Sequence, residues 1–303
     1  MSDGVDELID SSFPNGGKSD QNPKHPFVPF RILYRSSMTN EDNFDAYKPG
    51  KIAILVEDAG VNKAQLPVFQ MFVLAVLAGA FIGFGGAAYT AVMSGVDGAF
   101  GPARLLGGIV FSLGLILVIV GGAELFTGNA LMVMAAVDRK ISVRQLLRSW
   151  AVVYLGNLIG AAGLALAFGF SGILQGPLEA TAIAIVQAKT ALDPIEAFVR
   201  GALCNALVCL AIWLSFAART VAGKVLAVLW PISAFVLLGL EHSVANMYFF
   251  PQGWLAGSDV PVGMAVTNLL WVTLGNIMGG AGGVALAYRY AFLGGSANGP
   301  SGR

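Results

Sequence analysis

Six stretches of this chain are too long and too apolar to be covered by a water-soluble fold: roughly residues 67–94, 105–137, 146–171, 195–218, 224–250 and 263–290. A helix that crosses a bilayer needs about 20 mostly apolar residues, and each stretch supplies them. Composition agrees. Of 303 residues, 56% are apolar and 12% charged, where an ordinary soluble domain is about 25% charged. The surroundings predicted for such a chain are a lipid bilayer. A formal net charge of zero argues against a nucleic-acid partner. The two cysteines, Cys204 and Cys209, lie in one apolar stretch and point roughly 140° apart on a helix, so they cannot pair within it. No metal-ligand spacing or cofactor motif is present, and no cofactor is expected.

Residues 1–45 are polar, carry Pro14, Pro23, Pro26 and Pro29, and read as a flexible tail without a cleavable leader. Residues 46–66 read as a cytoplasmic N-terminal helix region, 67–290 as the six-helix transmembrane domain, and 291–303 as a C-terminal tail. Positive charge collects in cytoplasmic loops. Arg139, Lys140, Arg144 and Arg148 follow the second stretch, Arg219 and Lys224 the fourth, and Arg289 the sixth. The loops after stretches one, three and five carry Asp97, Glu179 and Asp259 instead, with Lys189 as the exception. This alternation predicts a multi-pass protein of the plasma (inner) membrane with both termini in the cytoplasm.

The 33 residues from 105 to 137 would make a helix of about 50 Å, against a hydrocarbon core of about 30 Å. Near the middle stands Gly121-Gly122-Ala123-Glu124-Leu125-Phe126-Thr127-Gly128-Asn129, a carboxylate and three glycines in apolar surroundings. Glycine permits a non-helical turn, so a broken helix is expected there. The fifth stretch repeats the design at Gly239-Leu240-Glu241-His242-Ser243-Val244-Ala245-Asn246. The two halves overlay in order. Gly79-Ala80-Phe81-Ile82 matches Gly201-Ala202-Leu203-Cys204, Glu124…Asn129 matches Glu241…Asn246, and Gly156-Asn157 matches Gly275-Asn276, at offsets of 122, 117 and 119 residues. Three crossings per half make the repeats inverted, and inverted repeats with broken helices at matching positions mark a transport path at their interface. The predicted fold is therefore an all-α membrane protein, two inverted three-helix repeats with broken second and fifth helices.

Irregular backbone at membrane depth must be buried in protein or line a cavity, so the two breaks are expected to face each other. His242 is the one histidine outside the tail, where His25 lies. An ionisable group inside the membrane is a functional candidate by default. Glu124 and Glu241 read as loop-stabilising, each pairing with Asn129 or Asn246, because a carboxylate on the path would repel an anion.

The strings Glu124-Leu-Phe-Thr-Gly-Asn129, Gly201-Ala-Leu-Cys-Asn-Ala-Leu-Val-Cys-Leu-Ala-Ile-Trp213, Glu241-His-Ser-Val-Ala-Asn-Met247 and Asn268-Leu-Leu-Trp-Val-Thr-Leu-Gly-Asn276 closely resemble the formate/nitrite transporter family. So does Glu57-Asp-Ala-Gly-Val-Asn-Lys-Ala64, ahead of the first crossing. The likeness covers about residues 45–290. It implies a homopentamer with an aquaporin-like fold and one pore per subunit that passes formate or nitrite. It further implies a central pore histidine at His242, a loop threonine facing it at Thr127 after Leu125 and Phe126, a pore asparagine at Asn205 and a vestibule lysine at Lys189. The apolar constrictions it implies are Phe111 with Leu115 on one side of the histidine and Phe235 with Val208 on the other.

The expected mechanism is transport of a small monovalent anion, formate first, with nitrite or hydrosulfide as alternatives, coupled to protons or eased by transient protonation. In that scheme Lys189 attracts the anion, Thr127 and Asn205 donate hydrogen bonds to it, and His242 or nearby water supplies the proton. A remote alternative is an intramembrane serine protease, since Gly169-Phe170-Ser171-Gly172 resembles the serine motif of rhomboid proteases and His242 could serve as base.

Overall fold

The computed structural model describes residues 46–96 and 100–294. The tail 1–45, Asp97 and residues 295–303 lie outside that range. Helix α1 (Pro49–Gln65) starts at a proline in its first turn and stops one residue before Pro67, where the backbone turns into α2 (Val68–Met93). The second stretch forms α3 (Gly101–Phe111) and α4 (Leu113–Gly121), joined through a turn at Ser112, and then breaks. It resumes as a 3-10 turn (Gly128–Met132) and α5 (Val133–Val137). The long α6 (Val143–Phe170) opens on a reciprocal cap between Ser142 and Gln145. The fourth crossing is α8 (Pro194–Ala217), and the fifth is α9 (Val221–Leu237) plus α10 (Ser243–Leu255) around the second break. The sixth runs from α11 (Val262–Ile277) through a π-helical segment (Met278–Ala285) into α12 (Leu286–Phe292).

Among the described residues, five helical stretches are individually long and apolar enough to cross a bilayer: Val68–Met93, Gly101–Gly121, Val143–Phe170, Pro194–Ala217 and Val262–Phe292. Neither α9 nor α10 is long enough alone, and only together do they supply the fifth crossing. The fourteen residues of α7 (Pro177–Thr190) stand where the sequence suggested a loop. This helix packs on α10 and carries Lys189 in its last turn.

The inverted repeat is written into the backbone contacts. The Glu124 N–H donates to the Leu74 carbonyl at 3.2 Å, and the Glu241 N–H to the Arg200 carbonyl at 3.4 Å. A Cβ on Gly160 would lie 1.9 Å from the Val76 oxygen, and one on Gly279 would lie 1.8 Å from the Ala202 oxygen. Each pair places the first and fourth crossings 126 residues apart (74 to 200, 76 to 202), while the breaks keep 117 and the third and sixth crossings 119. The overlay of Gly79 on Gly201 was therefore one helical turn out of register. A four-residue slip returns a residue to nearly the same helix face, so glycines still met and the error left no trace in the pattern. In the correct register Gly201 matches Ala75, and Asn205 matches Gly79.

Candidate functional site: two helix breaks and a vestibule

Both breaks open the same way. Gly122 (φ 79°) and Gly239 (φ 66°) take the left-handed turn that L residues avoid, and the freed backbone is caught by an asparagine. The Asn157 side chain donates to the Ala75 and Glu124 carbonyls at 2.8 and 2.9 Å and accepts from the Phe126 N–H at 2.9 Å. Asn276 donates to the Gly201 and Glu241 carbonyls at 2.8 and 3.0 Å and accepts from the Ser243 N–H at 2.9 Å. Backbone groups at membrane depth have no water to turn to, and these two side chains satisfy three each. The sequence reading used Gly156-Asn157 and Gly275-Asn276 only to overlay the halves and gave the asparagines no role.

Mirrored charge clusters sit beside the breaks. Asn129 donates to Glu124 at 2.8 Å, and Asn246 to Glu241 at 2.7 Å. Lys63, on α1, reaches Glu124 Oε1 at 2.8 Å and Asn129 Oδ1 at 3.0 Å. Lys189 holds both oxygens of Glu241, at 3.0 and 3.1 Å, and lies 5.3 Å from the centre of the Phe249 ring. Lys63 and Lys189 are 126 residues apart, so each half contributes one lysine to its own carboxylate. Lys63 had no role in the sequence reading, and the corrected repeat register would have found it.

Thr127 ends the first break and His242 the second, and they meet: Thr127 Oγ1 lies 3.0 Å from His242 Nε2. The Ala245 N–H donates to His242 Nδ1 at 3.1 Å, so the ring caps α10. An Nδ1 that accepts a hydrogen bond carries no proton, which leaves the proton of the neutral ring on Nε2, pointing at Thr127. Charging the ring would put a proton on Nδ1 and break the cap.

A cavity of about 190 Å³ lies on one side of His242, with Arg104, Lys189, Arg200 and Glu241 among its lining residues and Phe111 and Phe235 at its inner end. Those two rings cross edge to face with centres 5.5 Å apart, and Phe235 stacks on the imidazole at 6.0 Å. Beyond them a second void of about 10 Å³ is enclosed by Phe111, Phe235, Leu115, Val208, Leu125 and His242, with Ile82 and Ile232. That is room for a single water, so this conformation is closed to a hydrated ion.

Two expectations change here. Phe111 and Phe235 form one constriction together, with Leu115 and Val208 on its far side; the pairing of Phe111 with Leu115 and Phe235 with Val208 across the histidine does not hold. The reason is that the two phenylalanines come from opposite halves and meet at the repeat interface. Asn205 is not free to donate to a substrate. Its amide protons go to the Thr127 carbonyl at 3.2 Å and the Asn276 carbonyl at 2.7 Å, binding the first break to the sixth crossing. Lys189 lines the cavity, and its charge is matched by Glu241.

Residues 50–290 match the family described as formate/nitrite transporter. The chain belongs to the formate/nitrite transporter family. Its relatives include an uncharacterized transporter, YrhG, of Bacillus subtilis, 41% identical over 81% of this chain and 93% of that protein. The formate channel FocA of Escherichia coli K12 is 36% identical over 84% of this chain and 98% of its own. A solved pentameric formate channel with formate bound superposes with a TM-score of 0.66 at 36% identity, covering 75% of this chain and 98% of that one. Formate/nitrite transporters are multi-pass membrane channels and transporters, not enzymes, which removes the protease alternative. Ser171 agrees with that: it stands exposed at the end of α6 with its hydroxyl donating to the Phe168 carbonyl at 2.7 Å.

Proposed function

We propose that the chain conducts formate, assembled as a pentamer with both termini in the cytoplasm, and that the anion passes His242 in transiently protonated form. The observation that carries this reading is the Thr127–His242 hydrogen bond of 3.0 Å between the two breaks, at the inner end of a charged vestibule and against a wall of apolar side chains. The names of FocA and of the formate-bound pentamer support formate as substrate and the pentamer as assembly. The basic loops after the second, fourth and sixth crossings support the orientation.

Energetics favour protonation. Taking a bare carboxylate into a low-dielectric medium has an idealised cost of order 20 kcal/mol. Two phenylalanine rings and a void the size of one water cannot offset that. Protonating a carboxylate of pKa about 4 at pH 7 costs roughly 4 kcal/mol, three units at 1.36 each. The Ala245 N–H on Nδ1 argues for a neutral ring over a standing imidazolium, so His242 offers Nε2–H to the anion as a hydrogen bond in competition with Thr127, and the proton that neutralises the anion comes from water in the vestibule, not from the ring. The test is flux into proteoliposomes of formate, nitrite, hydrosulfide and lactate at pH 5.5 and 7.5. Formate is expected to pass faster than lactate, and His242→Asn is expected to change the pH dependence. Unchanged flux and unchanged pH dependence in that variant would remove His242 from the scheme; nitrite or hydrosulfide outrunning formate would replace the substrate.

A further inference from the structure

The vestibule holds three cationic side chains, Arg104, Lys189 and Arg200, and one carboxylate, Glu241. Lys189 and Glu241 cancel, with both carboxylate oxygens within 3.1 Å of the ammonium. The Arg200 guanidinium lies 4.0 Å from Glu196, both half-exposed, a pairing that solvent weakens. Arg104 has no ion-pair partner among the described residues. It lies seven residues before Phe111 on α3, two turns along one helix face and about 10 Å outward. Its guanidinium lies against the second break, with Nη2 2.7 Å from where a Cβ on Gly239 would stand.

We propose that Arg104 is the anion-docking residue of the vestibule and that its planar fork selects planar oxyanions, formate and nitrite, over a single-atom anion such as hydrosulfide. This rests on the conduction reading above. A guanidinium donates two parallel N–H bonds to the two oxygens of a carboxylate, which a lysine ammonium cannot do. Formate and nitrite each present two oxygens on one central atom, and hydrosulfide presents one sulfur. The anion docks at Arg104 while still hydrated on its far side, then moves two helix turns inward to the Phe111–Phe235 pair, where it must lose its water. Selection between anion shapes accordingly happens at the mouth, before the costly step at His242.

The test uses the full-length protein, with Arg104→Lys to keep the charge and lose the fork, and Arg104→Gln to lose both. Proteoliposome flux gives half-saturation for formate, nitrite and hydrosulfide at low ionic strength. Arg104→Lys is expected to raise half-saturation for formate and nitrite about tenfold or more, the weight of one charge-assisted hydrogen bond, and for hydrosulfide by less than about twofold. Arg104→Gln is expected to raise all three and to flatten their dependence on salt, since the steering field falls within a Debye length of about 8 Å at physiological salt. Arg104→Lys matching the wild type for formate, or shifting hydrosulfide as much as formate, overturns the fork. Arg104→Gln matching the wild type at low salt overturns the docking role altogether. Saturation-transfer NMR of formate on the detergent-solubilised protein reads the mouth without transport. A wild type that transports none of these anions ends the conduction reading, while the NMR comparison of wild type with Arg104→Lys still decides whether the arginine binds formate.

Discussion

Replacing Asn276 by alanine removes three hydrogen bonds at once, at 2.8, 3.0 and 2.9 Å, to Gly201, Glu241 and Ser243. Hydrogen bonds between transmembrane helices average about 0.6 kcal/mol and reach about 1.7, so three are worth roughly 2–5 kcal/mol. The upper half applies, because Asn276 is fully buried and water cannot replace the lost partners. At 2–4 °C per kcal/mol for a chain of this size class, the thermal unfolding midpoint falls by roughly 7–20 °C. The mirror variant Asn157→Ala removes bonds at 2.8, 2.9 and 2.9 Å and is expected to fall by a similar amount. Function separates the two. Releasing the Ser243 N–H unsettles the residue next to His242, so Asn276→Ala is expected to lose formate flux tenfold or more in protein still folded at the assay temperature. Asn276→Asp is expected to be worse than alanine, because a carboxylate would face two carbonyl oxygens. Scanning fluorimetry in detergent and flux on one preparation check both halves. A midpoint within 2 °C of wild type with intact flux would show that packing alone holds the breaks.

Thr127→Val keeps the shape and removes the hydroxyl that faces His242 Nε2; leaving that buried N–H unpartnered costs about 1–3 kcal/mol, so formate flux is expected to drop about 5- to 100-fold, while Thr127→Ser stays within about threefold. Lys189→Met strands the Glu241 carboxylate beside the path and is expected to reduce anion flux far more than the double variant Lys189→Met/Glu241→Gln, a non-additivity that a double-mutant cycle of flux measures directly. Midway along α1, burial raises the Glu57 carboxyl above its usual value against the opposing pull of Lys140, 2.7 Å away. A carboxyl raised in the folded state binds its proton there more readily than when unfolded, so its contribution to stability is present at low pH and is lost as pH climbs from about 4.5 through the raised value. The thermal midpoint of wild type minus that of Glu57→Gln is therefore expected to fall across that window, and a difference independent of pH would count against it.

Crossings and breaks were legible in the sequence because both are consequences of composition. An apolar stretch of 20 residues has few alternatives in lipid, and a Gly-Gly-Ala-Glu string in a stretch too long to be one helix has to be a turn. His242 was found for the same reason, since ionisable groups at membrane depth are few, whereas Thr127 was named through the family resemblance. What sequence hid was whatever depends on which face a side chain takes. Asn205 reads as a pore-lining donor until its two amide protons are seen on the Thr127 and Asn276 carbonyls. Lys63 precedes the first crossing on a separate helix, and nothing local ties it to a carboxylate 61 residues on. The helix α7 has a proline at its start but weak apolar periodicity, so it reads as loop. The slip of one turn between the first and fourth crossings concealed the pairing of Lys63 with Lys189, which is the same error seen twice.

In the corrected register the residues of the Thr127–His242 contact are those in which the halves differ. His242 occupies the position of Leu125, Val244 that of Thr127, and Asn205 that of Gly79. What the halves share is scaffold: a left-handed glycine, an asparagine clamp, and a lysine on a glutamate in each. The repeat therefore builds two equivalent turns and brings them together, and the chemistry comes from breaking the equivalence. If both turns carried histidine, two imidazoles would compete for one proton in a space holding one water. If both carried leucine, the apolar wall would be unbroken and no group could offer the anion a hydrogen bond. One imidazole against one hydroxyl gives a donor and an acceptor that satisfy each other while the path is empty, and either can turn to an anion when one arrives. Placing a single histidine on one half is thus the smallest departure from symmetry that lets a closed apolar seam handle a charge.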